Sequence, residues 1–151
     1  MNIVINNKLY NTDFLYIMEP VSNNVLENAI FYRLIYSNSH MTLNSLYFKV
    51  DVKNISIIKA FNKYKISFDN NTHKDTIQYL KYIESSILNK FSFDKKTPQY
   101  SILDAINNDC VKLYSECTTL KEHYDNLSIY LKISGFWMKG GIFGITYKFS
   151  H

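Results

Sequence analysis

LSIYLKISGFWMKGGIFGITYKFSH, residues 127–151, holds the chain's only tryptophan, Trp137, and all four of its glycines, Gly135, Gly140, Gly141 and Gly144. A chain that uses glycine nowhere else places it where the backbone needs conformations that other residues rarely adopt. Before the glycines, Leu131 and Ile133 alternate with Tyr130, Lys132 and Ser134; after them, Ile145, Tyr147 and Phe149 alternate with Thr146 and Lys148. Period two on both sides of a Gly-rich connection predicts a β-hairpin with Lys139-Gly140-Gly141 at its tip. The pairing sets Lys132 and Lys148 on the more polar face. There they are either solvated lysines of a closing hairpin or part of a binding surface.

Strand signals dominate the first half of the chain. Residues 14–18 form a short apolar run stopped by Pro20, and Ser22-Asn23-Asn24 reads as a turn. Residues 29–36 are apolar almost throughout, with β-branched and aromatic side chains that favour a strand. The clearest alternation follows: Leu46, Phe48, Val50 and Val52 point one way, and Tyr47, Lys49, Asp51 and Lys53 the other. That is a half-buried strand with a basic, aromatic outer face. Residues 55–59 and 64–68 then predict a hairpin around Phe61-Asn62-Lys63. Five lysines (49, 53, 59, 63 and 65) against one acid, Asp51, make residues 41–68 the most asymmetrically charged part of the chain.

After Asp69 the period changes. Ile77, Leu80, Ile83, Ile87, Leu88 and Phe91 follow helical spacing, which predicts an amphipathic helix over about 73–91. Thr72 is its expected N-cap, with Asp75 closing a capping box. Beyond it the sequence predicts a loop over 95–98, a short helix over 101–107, a strand over 110–114 and a polar loop or helical turn over 118–126. No repeat or linker divides the chain, so one domain over 1–151 is expected, α+β or mainly β. A helix between the third and fourth strands of a small Greek-key barrel is the arrangement of an OB-like fold, and the element order is compatible with it.

Composition narrows the function. Hydrophobic residues make up 46% of the chain, enough for a packed core. No apolar run is long enough to span a bilayer, and the N-terminal residues lack the pattern of a secretory signal. The two cysteines, Cys110 and Cys117, make no CxxC and have no His pair at ligand spacing. They read as semi-buried thiols in a reducing compartment, with no zinc and no disulfide framework. The four histidines are scattered, no nucleophile elbow or phosphate loop is present, and no cofactor, metal or enzymatic activity is expected.

The formal charge is +4, and Arg33 is the only arginine. Lysine offers phosphate a point charge, whereas bidentate reading of guanine favours arginine. A nucleic-acid-binding chain of this composition should therefore hold backbone more than sequence. Lysines interleave with aromatics at Tyr47-Phe48-Lys49, at 61–65, at Trp137-Met138-Lys139 and at Tyr147-Lys148-Phe149. Aromatic faces that stack on unpaired bases, beside lysines that follow phosphates, are the physical requirement for single-strand binding. Aromatics also build strand cores, and Tyr64 and Tyr147 fall on the apolar side of their strands. Phe61 and Trp137 lie in or near turns, where stacking is easier. The candidate contacts are Lys49, Lys53, Lys59, Phe61, Lys63, Lys65, Lys132, Trp137, Lys139 and Lys148. Trp137 either covers the end of the barrel or stands free as a stacking platform.

Leu131-Lys132-Ile133-Ser134-Gly135-Phe136-Trp137 followed by Gly144-Ile145-Thr146-Tyr147-Lys148-Phe149 resembles the closing motif of the OB-fold single-stranded DNA-binding proteins of nucleocytoplasmic large DNA viruses. That motif reads roughly LKISGIW, a variable turn, then GLTYKF. The specific match covers about 20 residues and a looser one 40–150. The Asn-, Ile-, Lys- and Tyr-rich composition also fits a relative on a yeast cytoplasmic linear plasmid. The resemblance implies single-stranded DNA binding in replication, in the host cytoplasm or at a viral replication site. It allows replication proteins or a second copy as partners, and gives no membrane role. It makes Lys132, Trp137 and Lys148 the motif positions in contact with DNA. Two departures stand out: the family's turn after Trp tends to be acidic, whereas here it is Met138-Lys139-Gly140-Gly141, and residues 148–151 replace the acidic tail of some single-strand binders. The alternative is a structural or interaction protein, a virion or replication-complex component with the same barrel.

Overall fold

The computed structural model describes residues 3–116 and 119–151. Among them are ten strands: β1 (Leu15–Ile17), β2 (Val21–Ser22), β3 (Ile30–Ser37), β4 (Thr42–Asn44), β5 (Leu46–Ala60), β6 (Lys63–Ser67), β7 (Thr97–Gln99), β8 (Val111–Tyr114), β9 (His123–Lys139) and β10 (Ile142–Ser150). Two helices, α1 (Lys74–Lys90) and α2 (Ser101–Asn107), fall between β6 and β8, so the protein is mainly β. The sheet runs β1-β3-β9-β5-β6-β8-β10-β7, with β2 and β4 also on β3 and β9 also on β10.

The C-terminal hairpin forms as its alternation predicts, and β9 is the longest strand. One edge of β9 pairs with β10. The other edge pairs with β5 up to Ile133 and with β3 from Gly135 onward. Gly135 is required at that handover. A Cβ there would lie 2.0 Å from the Tyr32 carbonyl oxygen and 2.8 Å from the Phe31 ring. Gly144 is required for a similar reason, because the Trp137 indole lies 2.8 Å from where its Cβ would be. Only Gly140, at φ +61°, needs glycine's conformational freedom; Gly141 has open space around it and no positive φ.

The alternation of β5 holds: Leu46, Phe48, Val50 and Val52 are buried and Lys49, Asp51 and Lys53 exposed. At Asn54 the backbone turns left-handed, φ 51°, and the ladder to β9 skips one pair before resuming at Ile55 opposite Tyr124. Inward-facing positions then become odd, with Ile55 and Ile57 buried. The two segments that the sequence separates at this point are therefore one strand.

Helix α1 buries Leu80, Ile83, Ile87 and Leu88 in the single core cluster, as its spacing predicts. Its N-terminus differs from the expected capping box. The Asp69 carboxylate, not Thr72, accepts from the backbone N–H groups of Asn71 and Thr72, at 2.9 and 2.7 Å. His73 is the N-cap residue and is buried. Its Nδ1 accepts from the Asp69 N–H at 2.8 Å, which leaves the proton on Nε2, 2.9 Å from the Lys53 carbonyl and 3.2 Å from that of Asn54. The imidazole thus satisfies the carbonyls that the irregular step in β5 turns away from the ladder. Beyond α1, Phe91 and Phe93 pack edge-on against Phe136, at 5.3 and 5.9 Å between centroids, and Phe93 also meets Phe143 at 4.8 Å.

Other expectations change in detail. Thr97 and Pro98, expected in a loop, pair parallel with β10 as edge strand β7, where proline's missing N–H is tolerated. The polar loop expected over 118–126 ends earlier, because His123 and Tyr124 pair with Ser56 and Ile55; Thr118 lies outside the described residues. Cys110, expected to be semi-buried, is exposed, and Cys117 lies outside the described residues.

Candidate nucleic-acid interface

Strand register brings some of the candidate lysines together and separates others. Lys132 on β9 stands opposite Tyr47 on β5 along one edge and opposite Lys148 on β10 along the other. The parallel pair Phe149–Leu113 sets Lys148, one position earlier, level with Lys112 on β8. Lys112 stands opposite Lys65 on β6. Lys132, Lys148, Lys112 and Lys65 therefore form one row across β9, β10, β8 and β6, on neighbouring strands about 4.8 Å apart. Lys112 and Lys132 stand between two buried residues, and Lys65 and Lys148 between a buried residue and a partly buried tyrosine, so all four face outward.

Like charges directly opposite each other in a ladder are destabilising. None of the four has a carboxylate partner within 4.0 Å among the described residues, where the ion pairs are Lys49–Asp51 at 3.7 Å and His123–Asp125 at 3.5 Å. Tyrosine rings hold two of the ammonium groups instead. The Lys148 Nζ lies 4.4 Å from the centroid of the Tyr114 ring, and the Lys132 Nζ lies 5.6 Å from that of Tyr47. A ring face attracts a cation without neutralising it. Lys132 and Lys148 are thus positioned, and the row remains available to an anion. Lys112 and Tyr114 were not among the residues singled out from sequence, because they sit in a four-residue strand whose neighbours only long-range pairing reveals.

The remaining candidates divide. Lys49 and Lys53 share the outer face of β5, but Lys49 is already paired with Asp51. Lys59 lies 5.8 Å from the Tyr64 ring, at the end of the β5–β6 hairpin where Ala60 pairs with Lys63. Phe61 forms the tip of that hairpin, 98% exposed, at φ 52°. A positive φ is rare for a bulky residue, and a two-residue hairpin turn usually places glycine there. A small cleft of about 290 Å³ beside it is lined by Lys63, Tyr64, Lys112 and Tyr114 among others. Lys139 is exposed at the end of β9.

Trp137 lies on the outward face of β9, neither in the core nor fully free. Phe136 and Met138 point into the core and Trp137 outward, half-buried, its indole flat against Gly144. Phe31 stands opposite it on β3, its ring against Gly135. Both rings line a cleft of about 710 Å³, together with Arg33, Thr146, Tyr147 and the 21–26 segment. Tyr147 has its hydroxyl 3.4 Å from the Ser101 carbonyl, and burial, followed by the nearby Glu84 and Asp104 carboxylates, pushes its pKa up to about 12. It therefore lines the cleft as a neutral phenol.

Glu84 is the one acid in the apolar stripe of α1, and it is fully buried. Its Oε1 accepts from the Ile102 N–H at 2.8 Å and its Oε2 from the Leu103 N–H at 3.1 Å, so it holds the start of α2. Among the described residues no three His, Cys, Asp or Glu side chains gather as metal ligands, and no helix is long and apolar enough to cross a membrane. No protein-family model, curated protein or solved structure matches the chain.

Proposed function

We propose that this protein binds single-stranded DNA without reading its sequence, in the replication of a viral or linear-plasmid genome. The observation that carries this reading is the lysine row. Four outward ammonium groups on adjacent strands, two of them over tyrosine rings and none with an acid partner among the described residues, form a surface suited to a polyanion. Attraction to phosphate with release of counterions would supply the affinity, and aromatic side chains near the row would stack on unpaired bases. The setting in replication rests on the resemblance of the closing hairpin.

The same reading takes the sheet as an OB-like barrel. What supports it is the order of pairing. Taken in chain order, β5, β6, β8, β9 and β10 pair first with second, second with third, third with fifth, fifth with fourth, and fourth with first. The third–fifth pair is parallel and the others antiparallel, a Greek-key order that suits a small, partly open barrel. The main helix departs from the expected arrangement: α1 lies between the second and third of these strands, not the third and fourth.

The test is a salt titration of labelled oligo-dT by fluorescence anisotropy. Log affinity should fall linearly with log salt, at about −0.7 per phosphate contact, or about −3 for four lysines. Affinity that stays flat from low to moderate salt would overturn the lysine–phosphate mechanism.

A further inference from the structure

We infer that the cleft over Phe31 and Trp137 is a subsite for one unpaired nucleobase, and that this cleft, not the lysine row, gives the protein its selectivity for single strands. The inference rests on the DNA-binding reading above and goes beyond it. A row of point charges attracts any polyanion, duplex DNA included, because phosphates carry no information about pairing. Selection for unpaired bases needs a place that a base can enter only when it is out of a stack.

The cleft has the required chemistry. Two aromatic residues on paired positions line it, each ring seated against a glycine that leaves it room: Phe31 on Gly135 and Trp137 on Gly144. Its opposite wall, the 21–26 segment, carries Val21 and Val25, which are exposed. A volume of about 710 Å³ is in the range of small-molecule sites, and apolar walls with few polar groups are their usual lining. Arg33, the only arginine of the chain, is exposed at the rim, where a guanidinium can take the phosphate of the bound nucleotide or stack on its base.

Position joins the cleft to the row. Lys132 and Trp137 are on the same strand and face outward, five residues or about 17 Å apart. A strand of DNA lying on the lysines can therefore continue along the β9–β10 hairpin into the cleft. This continuity and the cationic rim favour a nucleic-acid base over the apolar side chain of a protein partner.

The experiment compares oligo-dT with an abasic deoxyribose-phosphate oligomer of the same length, both binding to the intact protein. One stacked base should make oligo-dT bind about 5- to 150-fold tighter. Oligo-dT should also quench Trp137 fluorescence, which the abasic oligomer should leave unchanged. A Trp137→Leu variant, checked for an unaltered circular dichroism spectrum, should lose most of the difference while keeping its affinity for the abasic oligomer. Equal affinity for the two oligomers in the wild-type protein would overturn the subsite and leave the lysine mechanism standing. Binding of neither oligomer at low salt would overturn both. Quenching by an apolar peptide, with none by oligo-dT, would assign the cleft to a protein partner and overturn the inference.

Discussion

Phe61 departs from what its local structure favours. A left-handed conformation for a residue with a bulky side chain costs about 1–2 kcal/mol, and nothing packs on a ring that is 98% exposed. A strained, solvated phenylalanine beside Lys59 and Lys63 is what a stacking contact would require, and a purely structural turn would not. Phe61→Gly should therefore raise stability by about 1 kcal/mol, or about 2–4 °C in Tm, while weakening oligo-dT binding. An unchanged affinity would leave Phe61 outside the interface. Glu84 makes a different test of a single group. Burial raises its pKa, and the N–H groups of Ile102 and Leu103 only partly oppose that. A raised folded-state pKa stabilises the protein fully below the ordinary glutamate value, and this contribution is lost as pH rises through the folded-state value. Urea denaturation should show the wild type losing stability relative to Glu84→Gln across that window. A difference that stays constant with pH would mean that Glu84 keeps its proton affinity on unfolding.

At the level of elements, the glycines of the closing hairpin separate conformation from space. Gly135→Ala would drive a methyl group into the Tyr32 carbonyl oxygen and should cost about 3 kcal/mol, with the β3–β9 pairing lost first. Gly141→Ala, with open space and no positive φ, should be neutral or slightly stabilising. Thermal melts of the two variants check this directly, and similar melting temperatures would contradict the close approach. The hairpin itself was legible because alternation and turn residues are local signals. So were the exposed and buried faces of β5 and the apolar stripe of α1. The reason for Gly135 was not legible, because it lies in the carbonyl of a residue about a hundred positions earlier. The cap of α1 differs from the capping-box pattern for a related reason: Asp69 and His73 answer to backbone groups of the turn and of β5, whereas that pattern considers only the helix. In the candidate site, Lys132 and Lys148 could be placed on one face from the hairpin alone. Lys112, Phe31 and Arg33 join through register between distant strands, which one sequence does not contain.

For the whole molecule, the lysine row equals the entire net charge of +4, so the other basic residues are balanced by the acids. Two explanations of DNA affinity then make different predictions. If a general positive charge attracts DNA, any four lysines are equivalent. If the row is the binding surface, only its own lysines matter. Converting Lys65, Lys112, Lys132 and Lys148 to Gln should flatten the salt slope from about −3 toward zero. Converting the exposed Lys8, Lys74, Lys81 and Lys90 to Gln gives the same net charge and should leave the slope near its wild-type value. Stability should hardly distinguish the two. Relief of like-charge pairs contributes about 0.2–1 kcal/mol each, and loss of exposed cation–π contacts costs about 0.5–1 kcal/mol each. These terms oppose each other, so both variants should melt within about 4 °C of the wild type. Anisotropy titrations at several salt concentrations, run on both variants, read the slopes. Equal loss of slope in both would assign the affinity to overall charge and remove the row as the site.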